Sequence, residues 1–433
     1  MNINLSYKVK IKNYSHIFND TLKIYREAVE FLIGVCTENY DTYCKLTGKN
    51  RNNYLESLIH TTKSNKAVYP FDNLFYKFPT YLRRSALQDA MGLVNSYKSN
   101  LINNPKTSKP HAGRVFPCLY HSNMFKKEDD TKARIKIYHL NDWIWLDVYL
   151  KRSDVSYIQR HCSDFKESSP YLIKKGKEWF LSFSYSQNVL LKDSISRILA
   201  VDLGINNAAT VSVMNRNGTV QSRKFLSLDK EYDHLFHSLN RVKKARQNGN
   251  YSTPAIQAKV NGINKDISSK TARFIIDEAI LNNVDLIVFE HLDTKGRKKG
   301  SRKEILHLWK KAEVIKTVTN RAHREGIRIS TVFASGTSRY AYDGSGKTER
   351  GTKAHLDSYS LCRFQTGKIY NADLNASYNI GARYFIREIL KSLDENSRLS
   401  VLTEVSELGN RSTCTLSTLI NLNAVCKSLS FTS

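Results

Sequence analysis

The chain has 433 residues and carries 67 Lys and Arg against 40 Asp and Glu, a formal charge of +27 with a pI near 9.7. Its 41% hydrophobic and 11% aromatic content excludes a disordered chain and allows a sizeable core. So large a basic excess points to a polyanion partner. The sequence has no apolar run of about 18 residues and no signal-peptide pattern, so nucleic acid is favoured over a membrane surface.

Residues 2–11 alternate apolar and polar side chains, which predicts a half-buried strand. From about Ser15 to Lys98 the pattern is helical, with Phe18, Leu22, Tyr25, Val29 and Leu32 on one face. A later helix begins at Tyr81 and carries Arg83 and Arg84 near its start, and residues 100–114 read as a basic loop with Lys106 and Lys109. Alternation returns at 133–138 and 143–149 around a turn at 140–142, and again at 171–173 and 179–185 around a turn at 174–177. A small β domain thus frames a helical insertion.

At Ile198 the composition becomes α/β. Strands are expected over 198–204, 208–214 and 220–225, then helices over 232–246 and 253–282. A strand at 284–290, a basic loop at 295–303, a helix at 305–325 and a strand at 327–333 follow. The Ser-, Thr- and Asn-rich tail from about 397 is expected to be poorly ordered. The seven cysteines are scattered without a CxxC pair, the pattern of reduced thiols in a cytoplasm.

Three acidic segments stand out. In ILAVDLG (198–204) Asp202 lies in an apolar run, in VDLIVFE (284–290) Glu290 ends one, and in YNADLNAS (370–377) Asp373 opens an amphipathic helix. A carboxylate in a buried strand is costly without a cation or hydrogen bonds. Three of them, on elements that one sheet could join, make a hard oxygen site for one or two Mg²⁺, as two-metal phosphodiester hydrolysis requires.

On these segments the chain resembles the transposon-encoded TnpB proteins, relatives of the compact type V CRISPR effectors. The resemblance covers about residues 70–390 and is weakest in the first 70 residues and the tail. It implies an RNase H-like (RuvC) α/β nuclease domain preceded by a small β-barrel-like domain with an inserted helical domain. Asp202, Glu290 and Asp373 match the first, second and third catalytic, metal-binding acids. The implied division is a first wedge-like strand (1–14), a helical recognition domain (15–115) and the rest of the β domain (116–195). The nuclease domain follows in two parts (196–333 and 371–391) around a zinc-ribbon-like insertion (334–370), with a tail at 392–433.

The implied activity is RNA-guided cleavage of double-stranded DNA beside a short recognition motif, with one chain per guide RNA in a bacterial cytoplasm. The guide would come from a transposon end. The alternatives are a CRISPR effector guided from an array and a guided DNA-binding repressor that does not cut.

The chain departs from the family at the ribbon. Tyr340 and Asp343 stand near the first CxxC positions, and Cys362 is the only thiol in the segment. A structural zinc needs about four N or S ligands. No zinc is therefore expected, and the remnant should be held by packing of Tyr340, Tyr342, Tyr359 and Phe364. Nucleic acid is expected on Arg83, Arg84, Lys106, Lys109 and the basic helix bearing Arg241, Lys243, Lys244 and Arg246. The loop with Lys298, Lys299, Arg302 and Lys303 joins that set, as do Arg339 and Arg383 near the active-site phosphates.

Overall fold

The computed structural model describes residues 1–13, 16–204, 207–291, 311–351 and 355–431, and divides into two compact units, Asn2–Asn188 and Val189–Ser433 with Met1. The basic loop at 295–303, with Lys298, Lys299, Arg302 and Lys303, and the start of the helix expected at 305–325 lie outside the described residues.

In the first unit, β1 (Asn2–Lys10) buries Ile3, Leu5 and Val9, the alternation seen in the sequence. Helix α1 (Phe18–Glu38) buries Phe18, Leu22, Tyr25, Val29 and Leu32 and packs on α2 (Thr80–Asn103), where Tyr25 OH donates to Asp89 at 2.7 Å. The hairpin of β2 (Lys132–His139) and β3 (Asp142–Tyr149) turns on Leu140 and Asn141, both at positive φ, which suits a two-residue loop between twisted strands. The last strand, β4 (Glu178–Asn188), pairs antiparallel with the whole of β1. The expected β-barrel-like domain is instead two sheets, one around β1 and β4 and one around the hairpin, and no barrel closes among the described residues. Lys166–Glu167 and Tyr171–Lys175 also pair with β4, and Phe125–Lys127 with β2, while among the described residues the two sheets are linked only by isolated bridges such as Ile11 with Leu150.

The second unit is built on a five-stranded sheet. Its first three strands, β5 (Arg197–Asp202), β6 (Ala209–Asn215) and β7 (Val220–Leu226), form an antiparallel meander. Next to β5, β8 (Leu286–His291) and then β9 (Arg328–Phe333) run parallel to it, giving the order β7-β6-β5-β8-β9. The central strands are apolar on both faces because both are covered. Leu199, Val201, Ile287 and Phe289 pack against α3 (Pro254–Leu281) and α4 (Lys311–Arg324). Ile198, Ala200, Leu286 and Val288 pack against α5 (Ala372–Ser392). At that crossing a Cβ on Gly381 would stand 3.2 Å from Met214 Sδ and 3.3 Å from Ala200 Cβ, so the glycine sets how near the helix lies to the sheet.

The tail is ordered, against expectation. It forms α6 (Glu395–Glu404), a 3-10 turn (Ser406–Gly409) and α7 (Leu416–Phe431). Val401, Leu408, Leu416, Leu419 and Leu422 are buried in the same cluster as α5. Sparse apolar residues among Ser and Thr still cover the outer side of that helix, which would otherwise lie open to water. Among the described residues no helix is long and apolar enough to cross a membrane.

Candidate active site

The sheet positions two of the three acids. In the register of β5 and β8, Val201 faces Phe289, so the next pair along is Asp202 and Glu290. Asp202 closes its strand and does not interrupt it. Beyond it the chain folds back tightly: a Cβ on Gly204 would stand 2.8 Å from the Asn207 carbonyl oxygen. Because side chains alternate along a strand, Asp202 shares the face of Ala200, and Glu290 that of Val288. That is the face covered by α5, whose first turn carries Asp373.

The start of α5 is set by Asn371, whose side chain accepts hydrogen bonds from the Asp373 and Leu374 N–H groups, both at 3.0 Å. Such a cap satisfies free amides of the first turn, where the helix field favours a carboxylate. Asn207 donates to Asp373 Oδ2 at 2.9 Å, and Thr337 donates to Glu290 Oε1. Burial pushes the Asp202 carboxyl up to about 7, helped by Glu290 and Asp373 and opposed by Lys311 and Arg350. Lys311, at the start of described α4, lies 3.4 Å from the Leu203 carbonyl. Its ammonium is pushed below the usual lysine range by burial, against the pull of Asp202 and Glu290.

The three acids thus share one end and one face of the unit. Among the described residues no group of three or more His, Cys, Asp or Glu side chains stands in metal-holding geometry. The donors are carboxylate oxygens, the set a hard divalent cation prefers, and the mutual repulsion that raises Asp202 is the kind a bound cation relieves. In donor type, though not in the placement of the side chains, the set suits such a cation. A neighbouring acid plays another part: Asp285 accepts from Lys192, from the Ser196 hydroxyl and from the Ser196 and Arg197 amides. Burial would raise its carboxyl, and these donors hold it below the ordinary value.

The segment expected at 334–370 and the residues just after it form a three-stranded sheet and a small core of Ala341, Cys362, Phe364 and Ala372, flanked by Tyr342 and Tyr370. Tyr342 meets Phe364 and Tyr370 edge-on at 5.5 and 5.2 Å. The expected packing residue Tyr359 is 69% exposed, and Tyr370 takes its place because it lies on the strand that leads into α5. Tyr340 contributes chiefly its carbonyl, which accepts from Asn375 and Asn379 at 2.9 Å. These two fully buried asparagines, one turn apart on α5, tie the insertion to the helix.

The basic residues separate by burial. Arg83 is 4% exposed and paired with Glu56 and Asp72, so it belongs to the helical core and does not offer the expected nucleic-acid contact. Arg383 is also buried. It donates to the carbonyls of Phe333, Ser335, Ser412 and Cys414 at 2.7–3.0 Å, which removes it from the expected phosphate contact. Arg84 is exposed, paired with Glu56 and set over the Tyr81 ring. Lys106, Lys109, Arg339 and the helix residues Arg241, Lys243, Lys244 and Arg246 are exposed. The sequence reading missed Lys311, Asn207, Thr337 and Arg350. Only Asn207, beside the first acid in LGINNAA, carried a local signal.

The fold is mixed α/β, with paired strand-end acids and a third at a helix start. In fold the chain is similar to Cas12f1, solved as an sgRNA–target DNA complex, with a TM-score of 0.57 at 14% identity, over 84% of this chain and 82% of that one. Slighter likenesses are to Alicyclobacillus acidoterrestris C2c1 with single-guide RNA and to a Cas12i–crRNA–dsDNA complex. The first has a TM-score of 0.45 at 10% identity, over 86% of this chain and 69% of that one. The second has 0.41 at 11%, over 96% and 64%. The Aq_aa04 family model matches residues 5–139. No curated protein matches the chain.

Proposed function

We propose that the chain is an RNA-guided DNA endonuclease of the TnpB kind, whose second unit is an RNase H-like (RuvC) nuclease domain. One observation carries this reading: three carboxylates gathered at one sheet end, on a fold shared with Cas12f1. Asp202, Glu290 and Asp373 would hold one or two Mg²⁺, which when bound supply charge stabilisation at the scissile phosphate and a more acidic water. Thr337 orients Glu290, Asn207 orients Asp373, and the first turn of α5 adds a field that favours anionic oxygen. Lys311 balances the acids while no substrate is bound. The exposed cations of the helix Asp229–Gln247 follow a nucleic-acid backbone, and base pairing with the guide reads the sequence.

The insertion is a metal-free ribbon remnant. Cys362 is the only thiol between residues 334 and 370, and a structural zinc takes about four N or S ligands. Elemental analysis giving about one zinc per chain would overturn this. The guide comes from a transposon end, which sequencing of the RNA that co-purifies with the chain tests directly. For the activity, a labelled duplex carrying the guide's complement is incubated with the purified complex and Mg²⁺. Asp202→Ala is expected to lose at least about a thousandfold in cleavage rate with duplex affinity nearly unchanged. Cutting at the wild-type rate would remove Asp202 from the chemistry.

A further inference from the structure

A cavity of about 460 Å³ lies between β9, the later turns of α5 and the tail. Its floor is apolar, with Val332, Ile386, Leu390, Leu402 and Leu408. Phe333, 53% exposed, stands at its lip. The charged lining residues are all cationic. Arg383 is committed to backbone carbonyls, while Arg387 and Lys391 share Glu388. Arg398 and Arg411 are exposed and have no side-chain partner among the described residues.

The cavity adjoins the acids. Val332 is the register partner of Glu290 and Phe333 that of His291. Neighbouring strands are about 4.8 Å apart, so the Val332 end of the cavity stands about one strand from Glu290. Its α5 residues, Arg383 to Lys391, lie roughly 15–27 Å along the helix from Asp373, so a strand reaching from the acids into the cavity spans several nucleotides. The volume falls within the range that holds a small ligand. An unpaired base can turn into such a site and lie on aromatic and aliphatic side chains, while Arg forks take its phosphate.

We propose that this cavity seats one unpaired nucleotide of the strand presented to the acids, with its base on the apolar floor and its phosphates on Arg398 and Arg411. The proposal rests on the nuclease reading above, and binding and cleavage are measured separately so that either can fail alone. Binding is read by fluorescence anisotropy with the full chain carrying Asp202→Ala, using a labelled oligothymidylate of about ten nucleotides and the same strand with abasic sites. Replacing both arginines (Arg398→Ala with Arg411→Ala) should weaken the oligothymidylate by about tenfold. It should also lower the log–log salt slope by about 1.4, two contacts at about 0.7 each. The unmodified strand should bind more tightly than the abasic one, and that advantage should disappear in the double variant. Arg398→Lys with Arg411→Lys should keep most of the slope and show that the fold is intact.

Unchanged affinity and slope in the alanine pair, or equal binding of abasic and unmodified strands, would overturn the seat. Equal competition by polyglutamate of matched charge would also overturn it, because a bare charge patch needs no base. If the chain without Asp202→Ala cuts no guided target but the base-dependent difference holds, the nuclease reading fails and the seat stands.

Discussion

Asp202 and Arg383 show how far residue identity alone carries. Both are charged groups in apolar sequence, and the structure gives them opposite roles. Burial, helped by two other acids, pushes the Asp202 carboxyl up to about 7. Its folded-state value lies above its unfolded one, so the folded chain holds a proton that the unfolded chain has released. In metal-free protein that contribution is present below about pH 4 and is lost as pH rises to about 7. Each pH unit of that rise is worth about 1.4 kcal/mol. Asp202→Asn should therefore raise the metal-free melting temperature at pH 8 by several degrees, at about 2–4 °C per kcal/mol, and change it little at pH 4. Melts in chelator across that range check this, and no gain at pH 8 would contradict the electrostatic account. Arg383 works in the other direction. Removing it leaves one buried and three partly buried carbonyls without their donor, so Arg383→Ala should cost about 3 kcal/mol or more in urea unfolding, with nucleic-acid affinity of the folded fraction unchanged.

At the scale of elements, α5 is the part that most depends on fit. Its first turn supplies Asp373, its middle lies against Ala200 and Met214 at Gly381, and its outer side is covered by the tail. Gly381→Val would press on both neighbours, costing about 1–3 kcal/mol and displacing Asp373 relative to the sheet. A lower cleavage rate with a lower melting temperature is expected, and a variant with normal values of both would show that the helix has room to spare. The tail was misread because its composition resembles that of a linker. Its apolar residues are too few to reveal their purpose until α5 is there to receive them. Ending the chain after Leu393 should expose that face and give an aggregating or non-cooperatively unfolding product, visible in scattering and denaturant melts.

At the scale of the whole molecule, the charge of +27 predicts a strong salt dependence. Non-specific binding of single strands should fall with a log–log slope near about −0.7 per phosphate contact. A slope corresponding to fewer than about three contacts in a filter-binding series would mean that the cations do not act together.

The sequence by itself determined the β1 alternation, the buried face of α1, the meander and the two later strands of the second unit, because periodicity is a local signal, and it singled out the three acids as isolated charges in apolar runs. It also exposed the basic excess and the lack of any CxxC pair. Only the tertiary structure decided which cations are free. Arg83 and Arg383 look like their exposed neighbours until acids or carbonyls from distant segments surround them. It also decided that Lys311, Thr337 and Asn207 attend the acids, and that the tail belongs to the core. Each of these depends on groups far apart in the chain, and no spacing along the chain encodes a contact that the fold itself creates.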